Sequence, residues 1–192
     1  MDSFLKGKVF FRNLENKFFA FFSKNGGISG GSYSSLNCSL NNKDLEKNVI
    51  ANRRIACNKV GIIPENLIML NQIHSNKVIE ISQRNKNNLF SADAMITKEC
   101  NIALGVTTAD CAPIIFIGKK TIGIAHVGWK GLLGDIINKT ITLLKKNEKV
   151  EDIRCFVGPH ISTDSFEVKK DFISNLVDNH NQFRKFIKVK KN

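Results

Sequence analysis

The sequence has 192 residues, a hydrophobic fraction of 42% and a formal net charge of +12. This length predicts one domain, 1–192, with room for a sizeable core, and the hydrophobic content excludes general disorder. The positive charge suits anionic partners such as phosphate-bearing metabolites, although lysine and asparagine are spread along the whole chain. Because no basic stripe is interleaved with aromatic residues, we predict no binding of nucleic acid.

Cysteine usage and the apolar runs set an expectation for location. The five cysteines are an odd number at unrelated spacings without a CxxC pair, which indicates neither a disulfide framework nor a zinc ribbon. The apolar stretch "KFFAFFSK" is shorter than the central region of a signal peptide, and no run reaches the roughly 18–20 apolar residues of a membrane span. We therefore expect a cytoplasmic protein that does not interact with membranes.

The first predicted elements are a strand over 18–22, a glycine- and serine-rich loop, and a helix over 44–60. Arg53 lies on the apolar stripe of that helix, between Val49 and Ala56. A buried guanidinium must be paired, since an unpaired one costs several kcal/mol. Two interpretations stay open: an internal salt bridge with a carboxylate, or an anion-binding arginine at the floor of a pocket.

The rest of the chain predicts short strands and two helices. The strand-like stretches are "NLIML", "NQIHSNKVIEI", "ADAMIT", "NIALGVTTADC", "APIIFIG", "TIGIAHVGW" and "IRCFVGP". Helical periodicity follows Trp129 up to "KKNEK" and returns in "SFEVKKDFISNLVDNH". Many strands, few helices and mixed loop lengths predict an α+β fold with mixed sheets. Neither a GxGxxG fingerprint nor a P-loop occurs.

Three residues near strand ends carry the candidate chemistry. His74 follows an apolar stretch, His126 ends one, and Cys111 ends "LGVTTADC". Functional groups often lie where strands open into loops, so these side chains could converge at one rim of a sheet. Two imidazoles and a thiolate suit Zn²⁺, and three ligands leave a fourth position for water or substrate. Taken singly, a histidine is more often a structural residue, and a strand-end cysteine a small hydrophobe.

Asp110 stands directly before Cys111. Its carboxylate could orient a ligand imidazole by accepting a hydrogen bond from the ring nitrogen that faces away from the metal. It could instead cap the next turn, and the sequence leaves both roles open.

Seven blocks in this order resemble the YfiH-type laccase-domain family: "GGISGGSYSSLN", "NRR", "NQIHSNKV", "ADAMIT", "TTADCAPI", "AHVGWKG" and "VGPHI…SFEV". Bacterial members have been called polyphenol oxidases, purine nucleoside phosphorylases and peptidoglycan editing factors. The match runs over about 18–168. The resemblance implies a four-layer α/β/β/α, CNF/YfiH-like fold with mixed sheets. It also implies zinc, with copper as the weaker alternative, bound by His74, Cys111 and His126.

Two features depart from the family pattern. Lys130 stands where arginine usually follows "GW", which keeps the charge but loses bidentate geometry. The chain also stops near Asn192, where relatives usually continue with further strands, a helix and a late arginine-containing loop. The sequence therefore raises the expectation of a C-terminally truncated or split gene product.

The resemblance implies phosphorolysis of purine nucleosides (adenosine, inosine or methylthioadenosine) to base and ribose 1-phosphate, with adenosine deamination. Candidate contacts for nucleoside and phosphate are Arg53, Lys130 and Asn37. The backbone N–H groups of loop 26–31 could add an anion nest, or the loop could be a plain turn. Candidate catalytic residues are Cys111, His126 and Asp110.

Two other functions stay open. An amidohydrolase acting on UDP-muramoyl amino acids would use a metal-activated water, or Cys111 as nucleophile with His126 as base. An inactive, truncated family member is the third interpretation. A literal multicopper laccase is disfavoured, because four histidines cannot hold a copper cluster and a blue site. The oligomeric state is not predicted.

Overall fold

The structure, a computed structural model, describes residues 2–5, 9–14 and 16–188. Main-chain contacts divide the chain into two units, Met1–His160 and Ile161–Asn192. The first unit contains all the residues of the candidate site. The prediction that 1–192 forms a single domain stays a prediction.

The described residues form ten strands and four α-helices. The strands are β1 Asp2–Leu5, β2 Val9–Leu14, β3 Lys17–Phe22, β4 Leu67–Met69, β5 Val78–Glu80, β6 Ala94–Thr97, β7 Ala103–Gly105, β8 Ala112–Ile117, β9 Ile122–Val127 and β10 Arg154–Val157. The helices are α1 Glu46–Lys59, α2 Trp129–Leu133, α3 Ile136–Leu144 and α4 Lys170–Asn179. Short 3-10 helices cover Gly31–Tyr33, Pro64–Asn66, Val150–Asp152 and Asn181–Phe186. No helix in the described part of the chain has the length and apolar character that crossing a bilayer requires.

Each predicted strand and helix is present, with two differences. The strands β1 and β2 were not predicted from the sequence. The single helix expected after Trp129 is two helices, α2 and α3. The break is at Asp135, whose φ of 66° lies in the left-handed region, so the helix cannot continue through it.

A five-stranded mixed sheet, in the order β10-β8-β9-β6-β5, forms the centre of the first unit. Its pair β5–β6 is parallel and the other pairs are antiparallel. A three-stranded antiparallel sheet, β1-β2-β3, and a parallel pair, β4–β7, complete the described strands. This combination of mixed sheets and helices is the α+β class that the sequence predicts.

The two faces of the central sheet pack against different partners, because successive side chains of a strand point to opposite faces. On one face, Val127 of β9 packs with Ile136 and Leu144 of α3. On the other face, Met95 of β6 and Ile124 of β9 join clusters that include side chains of β3, β4 and β7. The histidine of β9 lies two residues after Ile124. Its side chain therefore shares the face of Ile124 and points away from α3.

The fully buried amide of Asn52 in α1 holds the glycine- and serine-rich loop. Its Nδ2 donates to Ser29 Oγ and to the carbonyl of Asn37, each at 2.8 Å. Its Oδ1 accepts the N–H of Ile28 at 2.8 Å. A Cβ on Gly27 would overlap this Oδ1 and a backbone carbonyl of the same loop, so only glycine permits the close approach. The loop and α1 are thus joined through one satisfied polar group.

The anion nest considered for loop 26–31 is wrong for its first four residues. The N–H groups of Gly26 and Gly27 donate to Ser35 Oγ, at 2.9 Å and 3.2 Å. Ile28 donates to Asn52, and Ser29 donates to the carbonyl of Ser35. Because these N–H groups already donate within the protein, they cannot bind an anion without losing the hydrogen bonds that hold the loop.

We expect Asn52→Ala to lower the free energy of unfolding by about 2–3 kcal/mol, because it leaves the Ile28 N–H without its acceptor. Urea unfolding followed by circular dichroism measures this change. The matched control is Asn58→Ala, an exposed asparagine of the same helix, which should change stability by less than about 0.5 kcal/mol. Equal unfolding midpoints for the two variants would show that the Asn52 contacts do not hold the loop.

Candidate metal centre

Strand register brings the candidate residues to one end of the central sheet. In the β8–β9 pair, Pro113 lies opposite His126. Two residues further along this register, Cys111 lies opposite Gly128. On the other side of β9, the N–H of His126 donates to the carbonyl of Asp93 at 2.7 Å. Residues distant in the sequence therefore meet where β8 and β6 begin and β9 ends.

The side chains of His74, Cys111 and His126, which we call the triad, form a cluster in this place. One potential ligand atom from each residue lies within 4.8 Å of the other two. The two imidazole centroids are 4.8 Å apart and their planes are inclined by 82°. His126 is buried, Cys111 half-buried and His74 exposed. The triad can hold a metal ion that is supported from the protein interior and accessible on the His74 side.

Gly128 lies against two of the triad side chains. A Cβ at this position would be 3.0 Å from Cδ2 of His74 and 3.2 Å from Sγ of Cys111. Its φ of −80° and ψ of 170° are open to any residue, so the need for glycine here comes from space. Helix α2 starts at the next residue, Trp129.

The imidazole of His126 is oriented by a buried carboxylate. Its Nδ1 lies 2.9 Å from Oδ1 of Asp93, which is fully buried. Burial alone would raise the pKa of Asp93, but hydrogen bonds from His126, Ser75 and His74 hold that pKa below its usual value. A carboxylate only accepts, so in the neutral imidazole of His126 the proton is on Nδ1 and Nε2 keeps its lone pair for a metal.

The loop that carries His74 is held by neighbours on both sides. The N–H groups of His74 and Ser75 donate to Asp93. The Asn76 side chain donates to the carbonyl of Gly134 at 2.6 Å, which ties the loop to the α2–α3 connection. His74 has a φ of 55°, a conformation that non-glycine residues adopt only when surrounding contacts hold it.

The Cys111 thiol is in surroundings that disfavour its ionisation. Burial, and then the negative charges of Asp110 and Asp93, raise its pKa above the ordinary value for cysteine. The thiolate is the form that binds metals and attacks carbonyl groups. A cation in the triad would reverse this preference by pairing with the thiolate charge.

The carboxylate that orients His126 belongs to Asp93, a residue that sequence reasoning missed. Asp93 lies within the strand stretch "ADAMIT", where an acid beside a buried strand is a detectable signal. Asp110, the predicted candidate for this role, is exposed beside Cys111. A catalytic or turn-capping role for Asp110 stays a prediction.

Arg53 lies half-buried, as its place on the helix stripe predicts, but its partner differs from the expected carboxylate. Its Nε donates to the carbonyl of Cys38 at 2.8 Å. Among the ion pairs of the described residues none includes Arg53. Arg53 lines a cleft of about 120 Å³ together with Gln72 and Thr107. Because the Gln72 amide accepts from and donates to Thr107, the cleft borders the loops that lead to His74 and Cys111.

Asn37 and Lys130 are not joined to the triad by any hydrogen bond within the described ranges. The Asn37 side chain donates to Asp44 at 2.8 Å and accepts from the Ser39 N–H at 3.1 Å, so it organises its own loop. Lys130 is exposed two residues after Gly128, with Nζ 5.5 Å from the ring centroid of Trp129. Substrate contacts by Asn37 and Lys130 stay predictions.

Comparison with known proteins identifies the family. Residues 18–192 match the family described as multi-copper polyphenol oxidoreductase laccase. The chain belongs to this family. A relative from Bacteroides thetaiotaomicron, named purine nucleoside phosphorylase, is 33% identical over 161 residues, which is 78% of this chain and 60% of that protein. One from Aquifex aeolicus with the same name is 43% identical over 101 residues, 53% of this chain and 48% of that protein.

Solved structures agree with the fold. The Neisseria meningitidis protein NMB0706, described as a DUF152 member, has a TM-score of 0.76 at 29% identity and covers 93% of this chain. YfiH from Bacillus licheniformis has a TM-score of 0.80 at 24% identity and covers 95%. The match covers 69% and 70% of those two chains. The fold of this chain is the mixed-sheet α+β fold of YfiH and DUF152 proteins. The matches span about half to three fifths of the length of the two curated relatives.

We expect Gly128→Ala to weaken metal binding by about tenfold or more, because the added methyl group displaces both the His74 ring and the Cys111 sulfur. Competition between the protein and a chromophoric chelator for Zn²⁺ or Co²⁺ measures the affinity. Gly30→Ala is the matched control, since a Cβ at Gly30 meets nothing within 4 Å. Unchanged affinity in Gly128→Ala would mean that the metal binds away from this point.

Proposed function

We propose that the chain is a zinc-dependent purine nucleoside phosphorylase that also deaminates adenosine. The observation that carries the proposal is the triad, with its ligand atoms within 4.8 Å of one another. The reaction class is supported by relatives named purine nucleoside phosphorylase, at 33% and 43% identity.

The donor set fits zinc. Two imidazole nitrogens and one thiolate sulfur are ligands that Zn²⁺ prefers, and three protein ligands are typical of catalytic sites. Bonds of about 2.0–2.3 Å in a tetrahedral arrangement place ligand atoms about 3.3–3.6 Å apart. The 4.8 Å limit is compatible with this after side-chain shifts of about 1 Å, and the exposed His74 ring has room to make them.

A zinc ion in the triad would supply a Lewis acid that polarises the nucleoside or lowers the pKa of a water. The protein's own residues orient the ligands and set the space between them. Asp93 keeps the Nδ1 proton of His126 in place, and Gly128 leaves space for His74 and Cys111 to approach each other. The buried side of the triad excludes water, so substrate reaches it past His74.

Phosphate requires cationic groups near this opening, and two predicted residues suit that task. Lys130 follows Gly128 by two residues and is exposed. Arg53 lines the 120 Å³ cleft beside Gln72 and Thr107, and its guanidinium keeps N–H groups beyond the one that Cys38 accepts. Arg53 also lines a larger cleft of about 420 Å³, and no triad residue lines either cleft. We propose that phosphate contacts Lys130 or Arg53, with the nucleoside towards the triad.

The other functions that the names of family members suggest have weaker support in this chain. A cysteine-nucleophile amidohydrolase needs a thiolate, whereas burial raises the pKa of Cys111. The multicopper oxidation in the family description needs more histidines than the four in the sequence. The amidohydrolase that uses a metal-activated water shares the triad, so its substrate belongs in the activity assay.

We expect purified protein to contain about one zinc per chain and His126→Ala to contain almost none, because the buried imidazole is lost from a three-ligand set. Elemental analysis measures the metal. His180→Ala, which removes a histidine outside the triad, should keep its zinc. Full zinc content in His126→Ala would refute the proposed centre.

Incubation of adenosine and inosine with and without phosphate tests the activity. We expect free base to form only with phosphate, and inosine to appear from adenosine in either condition. His126→Ala should lose both reactions and His180→Ala should keep them. Cleavage of UDP-muramoyl amino acids without any base release would overturn the phosphorylase and favour the amidohydrolase.

A further inference from the structure

We infer that Asp93 is the positioning residue that sets both imidazole ligands of the triad with a single carboxylate. The inference rests on the proposed metal centre and adds the residue behind its ligands. Asp93 is fully buried immediately before β6, opposite His126 in the β6–β9 register. The pairing of β6 with β9 in the central sheet therefore fixes its position.

One oxygen of this carboxylate contacts both histidines. Oδ1 of Asp93 lies 2.9 Å from Nδ1 of His126 and accepts the backbone N–H of His74 at 3.0 Å. The contact with Nδ1 fixes the ring of His126, and the contact with the N–H group fixes the backbone of His74. A change at this atom therefore affects two ligands that come from separate loops and strands.

The second oxygen holds the turn that presents His74. Oδ2 of Asp93 accepts the Ser75 N–H, the Ser75 hydroxyl at 2.8 Å, and the Ile73 N–H at 3.3 Å. These three contacts flank His74 on both sides and maintain its φ of 55°. Five donors approach a group with about four lone-pair sites, so Asp93 has no free lone pair. Asp93 therefore supports the metal ligands and does not bind the metal itself.

An asparagine at this position cannot serve both histidines, although it has the same shape. If its oxygen replaces Oδ1, its NH₂ group faces the N–H groups of Ser75 and Ile73, and the turn that carries His74 loses its acceptor. If its oxygen replaces Oδ2, its NH₂ group faces His126, whose Nδ1 must then accept. The proton moves to Nε2, and His126 no longer offers that nitrogen to a metal. Either orientation removes one imidazole ligand.

We expect Asp93→Asn to weaken Zn²⁺ and Co²⁺ binding by about 100-fold, measured by chelator competition without substrate. Ser75→Ala is the matched control at the same carboxylate. It removes one of the five donors but keeps the charge, so the affinity should fall by about threefold or less. Asn52→Ala controls for stability, because it destabilises the fold away from the triad and should retain full metal affinity.

The protonated nitrogen of His126 gives a second measurement that a purely structural role would not change. In metal-free wild-type protein, ¹⁵N NMR of the imidazoles should show His126 protonated at Nδ1. In Asp93→Asn the proton should appear at Nε2 in the molecules whose asparagine NH₂ group faces His126. If Asp93→Asn does not fold, the wild-type spectrum alone decides, since protonation at Nε2 there would overturn the inference.

The outcomes separate this inference from the proposed function. Wild-type metal affinity in folded Asp93→Asn, with His126 still protonated at Nδ1, refutes the role of Asp93 and leaves the triad as a metal centre. Absence of metal binding by the wild-type protein refutes the centre itself. An imidazole spectrum unchanged in the variant, together with an unchanged backbone amide resonance of His74, would then refute the inference separately.

Discussion

The register of three strands at one end of the central sheet is the constraint on which the candidate site depends. It places Cys111 opposite Gly128 on one side of β9 and Asp93 opposite His126 on the other. A slip of one residue would turn His126 to the face that packs against α3. Val127 and Ile124, which pack on opposite faces, make such a slip costly, so the apolar core fixes the polar site.

The site combines a fixed interior with an open exterior. Inside, Asp93 and His126 are buried and hydrogen-bonded, and within the described ranges no buried side-chain polar atom lacks a partner. Outside, His74, Trp129 and Lys130 are exposed. The glycine-rich loop is supported in a similar way, because the buried side-chain amide of Asn52 makes hydrogen bonds to its backbone and side chains. Rigid support behind an accessible ligand set is what a catalytic metal centre requires.

Sequence reasoning predicted the strands and helices other than β1 and β2, because apolar periodicity marks such elements, and the motif blocks point to His74, Cys111 and His126 as candidate ligands. It missed contacts that depend on tertiary geometry. Asp93 faces His126 only through strand pairing, and Arg53 uses the Cys38 carbonyl where a carboxylate was expected. The helix break at Asp135 depends on a left-handed conformation that the apolar spacing does not reveal.

X-ray absorption spectroscopy of the zinc-loaded protein tests the central claim most directly, because it identifies the atoms bound to the metal. The account predicts one sulfur at about 2.3 Å and two imidazole nitrogens at about 2.0–2.1 Å, with a light-atom ligand in the remaining position. The sulfur contribution should vanish in Cys111→Ser. A metal shell without sulfur in the wild-type protein, or one unchanged in Cys111→Ser, would contradict the account.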